Sequence, residues 1–107
     1  MNQGDVYWYS FKEPDKKRPV LILTRDAAIP FLSSITVASI TTQIRAIPSE
    51  VLLDESDGMR TECAVALDSI NTVSKSKFGS FITHLTRERM REVREAIQYV
   101  FSFDALD

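Results

Sequence analysis

The sequence predicts a mainly β domain that ends in one amphipathic helix. Short runs of β-branched and aromatic residues, separated by polar or Pro-containing turns, fill residues 6–85, and the apolar period becomes helical from residue 86 onward. The length of 107 residues fits one domain, because domains commonly comprise about 100 to 200 residues. We therefore expect residues 1–107 to form a single compact antiparallel barrel or sheet with a C-terminal helix.

Residues 6–11 are β-branched and aromatic, which predicts the first strand. Residues 12–18 are polar and contain a Pro-Asp turn signal, so we expect an exposed basic loop there. Pro19 can begin a strand, and residues 20–24 are apolar without alternation. This pattern predicts a second, central strand that is buried on both faces.

The other predicted strands share β-branched and apolar residues bounded by turns. They are residues 35–40, 50–53, 63–67 continued by 70–73, and 81–85. The polar residues 41–43 directly follow the third strand, where side chains are well placed to face a cleft.

From Thr86, a plausible N-cap, the apolar residues recur at helical spacing, while charged residues take the other face. The apolar positions are Met90, Val93, Ile97, Val100 and Phe101. This pattern predicts one amphipathic helix whose charged face is solvated and carries surface ion pairs.

Composition and charge exclude several classes of protein. The chain is 44% hydrophobic and 26% charged, so it can bury a core and is neither disordered nor fibrous. A formal net charge of -2 removes any general attraction to nucleic acid, and phosphate binding must therefore come from a local patch. A single Cys and a single His exclude an internal disulfide and a closed zinc site within one chain.

The beginning of the chain is not a basic region that leads into an apolar stretch. No segment approaches the roughly 18 apolar residues of a membrane span. We therefore expect a cytoplasmic protein with no membrane partner.

Residues that could carry chemistry lie in two places. Lys16, Lys17 and Arg18 adjoin the second strand, and Ser39 with residues 41–43 ends the third. An arginine on a rigid strand can bind phosphate with two hydrogen bonds, and nearby hydroxyls and amides can complete the oxygen shell. On the residues alone, a merely solvated cluster of cations remains an open alternative.

Five short segments, in order over nearly the whole chain, carry a family resemblance. They are residues 4–8 (Gly-Asp-Val-Tyr-Trp), 18–23 (Arg-Pro-Val-Leu-Ile-Leu), 40–43 (Ile-Thr-Thr-Gln), 67–68 with 72–75, and 83–86 (Thr-His-Leu-Thr). Together they resemble the MazF/PemK-type toxins of bacterial toxin–antitoxin systems. The resemblance implies a small SH3-like antiparallel barrel with the C-terminal amphipathic helix, assembled as a homodimer.

The resemblance also implies an activity, namely sequence-specific cleavage of single-stranded mRNA without a metal or other cofactor. A cognate acidic antitoxin protein would hold the toxin inactive. The family's catalytic pair corresponds here to Arg18 and Thr41. When a ribose 2′-hydroxyl attacks the adjacent phosphate, negative charge builds on the non-bridging oxygens, and a guanidinium and a hydroxyl can stabilise it.

The residues expected to contact RNA beyond this pair are Glu13, Lys16, Lys17, Gln43, Ser69, Asn71 and Lys75. Two features depart from the family pattern. The connection before Arg18 is shorter than usual and lacks glycine, and Ser69 and Asn71 stand where the family tends to have Gln and Arg. A serine cannot span a base edge as glutamine does, so the departures bear on base preference and on activity.

Two rival functions stay open. Relatives on the same fold poison DNA gyrase without catalysis and depend on C-terminal helix residues, but residues 101–107 do not resemble their terminal tail. The presence of Arg18 and Thr41 favours the nuclease. A catalytically inert SH3-like module that binds a peptide or protein would show no dependence on Arg18.

Overall fold

The structure is a computed structural model that describes residues 1–12 and 16–106. Within these ranges, six strands precede one α-helix. They are β1 (Asp5–Phe11), β2 (Lys16–Ile22), β3 (Ser34–Thr41), β4 (Glu50–Leu53), β5 (Cys63–Ser74), β6 (Phe78–His84) and α1 (Arg87–Phe101). Short 3-10 turns occupy Ile29–Phe31, Glu55–Asp57, Lys75–Lys77 and Phe103–Leu106.

The strands form one antiparallel sheet in the order β4-β5-β3-β2-β1-β6. The sheet curls into a half-barrel, so the predicted mainly β fold with a C-terminal helix is confirmed. The ladder between β3 and β5 contains a bulge, since Ala38 pairs with Ile70 whereas Ser39 pairs with Ala66. Residues 67–69 of β5 therefore lie outside the regular ladder, and a bulge of this kind bends the strand and re-aims its side chains.

Alternation along the strands divides the buried residues between two faces of the sheet. One face packs against α1 and forms the helix core, which includes Val6, Leu21, Ile40, Val65, Leu67, Leu85, Val93 and Ala96. The opposite face carries a smaller second core of Tyr9, Val20, Ile22, Ile29, Ile35 and Val37.

Helix α1 begins and ends with specific backbone caps. The Thr86 hydroxyl accepts a hydrogen bond from the Arg89 amide at 3.1 Å, as predicted for an N-cap. At the other end Ser102 adopts a left-handed conformation, with φ of 42°. On the predicted apolar face, Val93 is buried, and Met90, Ile97 and Val100 are half-buried against the helix core. Phe101 is half exposed and stacks on Phe103. In the described part of the chain, no helix has the length and apolar character needed to cross a membrane.

One predicted loop is wrong in part. Residues 16–18 were expected in an exposed basic loop, but they form the first rungs of β2, where Arg18 pairs with Tyr9. Their side chains are exposed, and an exposed strand end has the polarity of a loop. The strand was also expected to be interrupted between residues 67 and 70. Instead β5 is continuous there, and the bulge accommodates residues 67–69 within it.

Candidate active site

Strands β2 and β3 bring Arg18 and Thr41 to the same end and the same face of the sheet. Val20 pairs with Ser39, and each of the two residues lies two positions beyond that pair within its own strand. Side chains at i and i+2 share a face, so Arg18 and Thr41 lie on the face of the second core. Adjacent strands are about 4.8 Å apart, which places both residues within reach of one phosphate group.

Arg18 extends from a rigid part of the sheet. Its partner across the ladder, Tyr9, is 4% exposed and belongs to the second core. The Tyr9 hydroxyl donates a hydrogen bond to the carbonyl oxygen of Ser74 at 3.0 Å, and burial raises the pKa of this phenol. Tyr9 is therefore a neutral packing residue, and Arg18 is the exposed charged group at this position.

The hydroxyl of Thr41 is oriented by the chain that follows it. Its oxygen accepts a hydrogen bond from the Gln43 amide at 3.0 Å, which leaves the hydroxyl hydrogen to donate to an anion. The buried Glu50 carboxylate holds the rest of this connection, because one of its oxygens accepts hydrogen bonds from the amides of Arg45 and Ala46, both at 3.0 Å.

The β5 bulge adds polar groups beside this pair. The Ser69 hydroxyl donates to the Ser39 hydroxyl at 3.3 Å, and both residues are half-buried. Asn71 pairs with Val37 and is exposed, which places it on the same face farther along β5. Two of the residues predicted to contact RNA thus lie on the face that carries Arg18 and Thr41.

The remaining predicted RNA contacts are more dispersed. Lys16 is exposed on the face of Arg18, whereas Lys17, one position along, is exposed on the opposite face. The Lys75 ammonium donates to the carbonyl oxygen of Ile29 at 2.8 Å, so it holds the connection before β3. Gln43 is exposed beyond the end of β3, and Glu13 lies outside the described residues.

A cleft of about 520 Å³ opens at the same end of the sheet, on the side of the helix core. We call it the end cleft. It is lined by, among others, Trp8, Pro19, Thr41, Met59, Arg60 and Phe81. No local pattern in the sequence indicates this cleft, because its walls come from five separated segments. The alternation that sets Trp8 apart from Tyr7 and Tyr9 is the one local signal of this wall, and alternation alone does not distinguish a cleft wall from core packing.

One wall of the end cleft is a charged loop, residues 54–62, which we call the wall loop. The Arg89 guanidinium on α1 donates to the Asp57 carboxylate at 3.0 Å, and the Thr83 hydroxyl donates to the Asp57 carbonyl oxygen at 2.9 Å. Gly58 has a φ of +89°, and a Cβ at this position would collide with the Thr83 side chain. These contacts fix the loop, and with it the positions of Met59 and Arg60.

Two other reactive side chains serve the structure. Burial, reinforced by the carboxylates of Asp57 and Asp54, raises the pKa of the Cys63 thiol at the edge of the end cleft, which keeps it protonated. His84 lies 2.7 Å from the buried Asp5 carboxylate through Nδ1. Asp5 is four residues along β1 from Tyr9, about 13 Å at strand geometry, so this pair belongs to the far end of the sheet.

The fold and the order of the motifs agree with one protein family. Residues 2–101 match the model of PemK-like, MazF-like toxins of type II toxin–antitoxin systems. The chain belongs to this family. The predicted resemblance to MazF/PemK-type toxins is therefore confirmed, and the match extends from the residues before β1 to the end of α1.

Individual relatives share most of this PemK/MazF chain. It is 38% identical to the endoribonuclease MazF3 of Mycobacterium tuberculosis over 90 residues, which cover 84% of this chain and 87% of that protein. The solved structure of the Mycobacterium tuberculosis toxin MazF-mt6 is 34% identical and has a TM-score of 0.84, covering 92% and 96% of the two chains. An endoribonuclease in complex with its cognate antitoxin, from a mycobacterial species, has a TM-score of 0.85 at 23% identity, covers 96% of both chains, and shares the fold.

Proposed function

We propose that the protein is a toxin endoribonuclease that cleaves single-stranded mRNA in the cytoplasm without a metal ion. The observation that carries the proposal is the placement of Arg18 and Thr41 on one face at one end of the sheet, in a chain of the PemK/MazF family. Sequence-specific cleavage would depend on the polar groups around this pair, among them Ser69 and Asn71.

In the proposed reaction, a ribose 2′-oxygen bonds to the adjacent phosphorus as the bond from phosphorus to the 5′-oxygen breaks. The 2′-hydroxyl gives up its proton to solvent water, and the leaving 5′-oxygen takes one up, so the products are a 2′,3′-cyclic phosphate and a 5′-hydroxyl. A guanidinium stays protonated throughout the neutral range, so Arg18 stabilises the charge on the non-bridging oxygens. The Thr41 hydroxyl, already oriented by the Gln43 amide, donates a second hydrogen bond.

The relative solved with its cognate antitoxin supports a protein partner for this chain as well. We infer that a cognate antitoxin covers the active end of the sheet and neutralises the toxin. The exposed cations of β2, Lys16, Lys17 and Arg18, would attract an acidic segment of such a partner.

We further infer a homodimer. Phe31 and Leu32, in the connection before β3, are 86% and 42% exposed, and apolar side chains of this kind are common at subunit interfaces. Size-exclusion chromatography with light scattering tests this inference, and a monomer at micromolar concentration would contradict it.

The function is tested by incubating the purified protein with a long single-stranded RNA in the presence of EDTA. Wild type should cleave the RNA at a short sequence, whereas Arg18→Ala and Thr41→Ala should each lose at least about 100-fold in rate. Arg25→Ala removes another exposed arginine, located after β2, and should cleave like wild type.

Two results would contradict the proposal. One is intact RNA after incubation with wild type, and the other is equal cleavage by the Arg18 and Thr41 variants. A gyrase poison or an inert binding module predicts the first result. Mass spectrometry of the product ends should show a cyclic phosphate, and 2′-O-methylation of the nucleotide at the cut site should block cleavage.

A further inference from the structure

We propose that Glu50 is a positioning residue for RNA cleavage. Its carboxylate fixes the connection between β3 and β4, and through this connection it sets the orientation of the Thr41 hydroxyl. This inference rests on the proposed function and deepens it, because it makes the rate of cleavage depend on a residue that does not touch the RNA. It follows from the path of the connection, from the contacts that hold it, and from the burial of the carboxylate.

The connection, residues 42–49, crosses the face of the sheet that carries Thr41. Strands β3 and β4 both pair antiparallel with β5, so they run parallel to each other and the chain must pass over β5 to join them. Ser39, Ala66 and Glu50 form one row across the three strands, and residues paired in this way share a face. The Glu50 side chain therefore lies on the face of Thr41, at about 10 Å from Ser39 along the row, beside the proposed catalytic pair but not within it.

Hydrogen bonds hold the part of the connection nearest Thr41. Residues 42–46 are all exposed, so packing contributes little to their position. In the described part of the chain, their hydrogen bonds lead to Thr41 at one end and to Glu50 at the other. The Gln43 amide, which orients the Thr41 hydroxyl, therefore lies between two fixed points, and Glu50 supplies the second.

The Glu50 carboxylate meets the connection at a strained piece of backbone. One of its oxygens accepts hydrogen bonds from the successive amides of Arg45 and Ala46, both at 3.0 Å. Ala46 has a φ of 54°, in the left-handed region, which is uncommon for a residue with a side chain. A left-handed residue lets successive N–H groups converge on one anion, and such strain persists only while the surrounding contacts maintain it. Loss of the carboxylate should therefore release the connection as far as Gln43.

A role in stability alone would not favour this carboxylate. The Glu50 side chain is 2% exposed, and its second oxygen is buried without a hydrogen-bond donor among the described residues. The Arg45 guanidinium lies 3.9 Å from this oxygen and is exposed, so solvent weakens their attraction. A buried polar atom without a hydrogen bond costs stability, and proteins retain such costs mainly at functional sites. The burial of Glu50 thus favours a role in positioning.

The test measures steady-state cleavage of an RNA that contains the mapped cut site. Glu50→Ala should lower kcat by about 10- to 100-fold, because a reacting group displaced by about 1 Å can lose this much rate. KM should change by less than about 2-fold, since Arg18 still binds the phosphate. Glu50→Gln keeps an oxygen that can accept from both amides and should recover most of the loss. Glu95→Ala, which removes an exposed carboxylate from α1, should cleave like wild type.

A double-mutant cycle separates positioning of Thr41 from a general loss of stability. In a Thr41→Ala background, Glu50→Ala should lower kcat by less than about 2-fold, because the hydroxyl that Glu50 orients is already gone. Leu85→Ala destabilises the fold from the opposite face and should retain kcat in the folded fraction. A kcat loss confined to the background that contains Thr41 cannot arise from stability.

The same contact can be broken from its donor side. Ala46→Pro removes one of the two amide donors and is incompatible with a φ of 54°. Ala46 is exposed, so its replacement creates no cavity, and the variant should lower kcat as Glu50→Ala does. This variant decides the question if Glu50→Ala does not fold.

Amide hydrogen exchange reports the connection directly. Glu50→Ala should speed exchange of the Gln43 amide by at least about 10-fold, because the connection opens locally. The amide of Val37, buried within β3, should keep its wild-type rate. Unchanged exchange at Gln43 would overturn the inference independently of any cleavage assay.

The inference and the proposed function can fail separately. If wild type cleaves RNA and Glu50→Ala keeps wild-type kcat, or loses as much rate in the Thr41→Ala background as in wild type, the inference is overturned and the nuclease stands. A Glu50→Gln variant as slow as Glu50→Ala would also overturn it, because acceptance of the two hydrogen bonds would not restore the rate. If wild type leaves the RNA intact, the proposed function fails and the role of Glu50 in it fails as well.

Discussion

The two faces of the sheet differ in what their buried residues support. The face beneath α1 forms the larger helix core, in which Leu85 and Val93 are each 1% exposed. The other face has the smaller second core and, at one end, the polar residues Arg18, Ser39 and Thr41. Stability is thus concentrated on one side of the strands, and the proposed chemistry on the other.

The separation follows from alternation in strands that serve both faces. In β2, Leu21 belongs to the helix core, while Arg18 and Val20 lie on the opposite face. A strand clamped by a packed core on one side presents its other side with little freedom, which is the support that a preorganised anion site needs. Activity and stability should therefore respond to different substitutions within the same sheet.

The largest expected effect is on the rate of RNA cleavage by Arg18→Ala. Loss of the exposed guanidinium should lower kcat by about 10²- to 10³-fold, the usual effect of removing a donor to a developing oxyanion. The thermal midpoint should stay within about 1 °C of wild type, because surface substitutions change stability little. The kcat of Arg18→Lys should lie between those of wild type and Arg18→Ala, since an ammonium lacks the two-pronged geometry of a guanidinium. A large drop in the midpoint would contradict the separation of the two faces.

Leu85→Ala, in the helix core, should have the opposite effect, a loss of stability without a loss of activity. Truncation of this buried side chain should lower the free energy of unfolding by about 2 to 5 kcal/mol, measured by urea denaturation. The folded fraction should retain wild-type kcat at low temperature. Leu52→Ala, at a residue that is 46% exposed, serves as the control and should change stability by less than about 0.5 kcal/mol. A kcat loss as large as that of Arg18→Ala would show that the faces are coupled.

An intermediate effect is expected at Arg89, which connects the helix core to the wall loop. Arg89→Met should lower the free energy of unfolding by about 1 to 3 kcal/mol, because the Asp57 carboxylate, 6% exposed, loses its charged donor. The kcat for RNA cleavage should stay nearly unchanged, since Arg89 packs on the face of the sheet opposite Arg18 and Thr41. Arg91→Met, at an exposed position on the same helix, should alter neither quantity.

The smallest effect is a pH dependence from Cys63. Its raised pKa means that the folded protein keeps the thiol proton at pH values where the unfolded chain has lost it. The thiol therefore stabilises the fold fully below its ordinary pKa of 9.0, and this contribution declines as pH rises from there towards the raised value. Unfolding measured from pH 8 to 10 should show a steeper loss of stability for wild type than for Cys63→Ala, by at most about 1.4 kcal/mol per pH unit. Parallel slopes would contradict the assignment.

Much of the fold could be predicted because its signals are local. Alternation and β-branched residues marked each strand, and the Thr86 cap with the period of 3 and 4 marked α1. The ion pairs expected on the helix surface also have a local origin, as Arg89 and Glu92 show at a distance of 3.1 Å. By contrast, the predicted start of β2 is wrong, because polarity does not distinguish an exposed strand end from a loop.

The site was only partly predictable, for a different physical reason. Arg18 and Thr41 carry family motifs, and the register of β2 and β3 places them on one face as the prediction requires. The end cleft depends on contacts between distant segments, such as Arg89 with Asp57, 32 residues apart in sequence. No local pattern encodes such a pairing, nor the bulge that brings Ser69 to Ser39.

The left-handed glycine of the wall loop has a genetic consequence. Gly58 adopts a φ of +89° and has no room for a Cβ beside Thr83, so every replacement must displace the loop that presents Arg60. In a library of point variants selected for survival of the host cell, position 58 would then be enriched almost like a catalytic position, although it contributes no reactive group. The surviving clones would carry either a loss of a catalytic group or a displaced wall loop. Only a folding assay on each clone would distinguish these two defects.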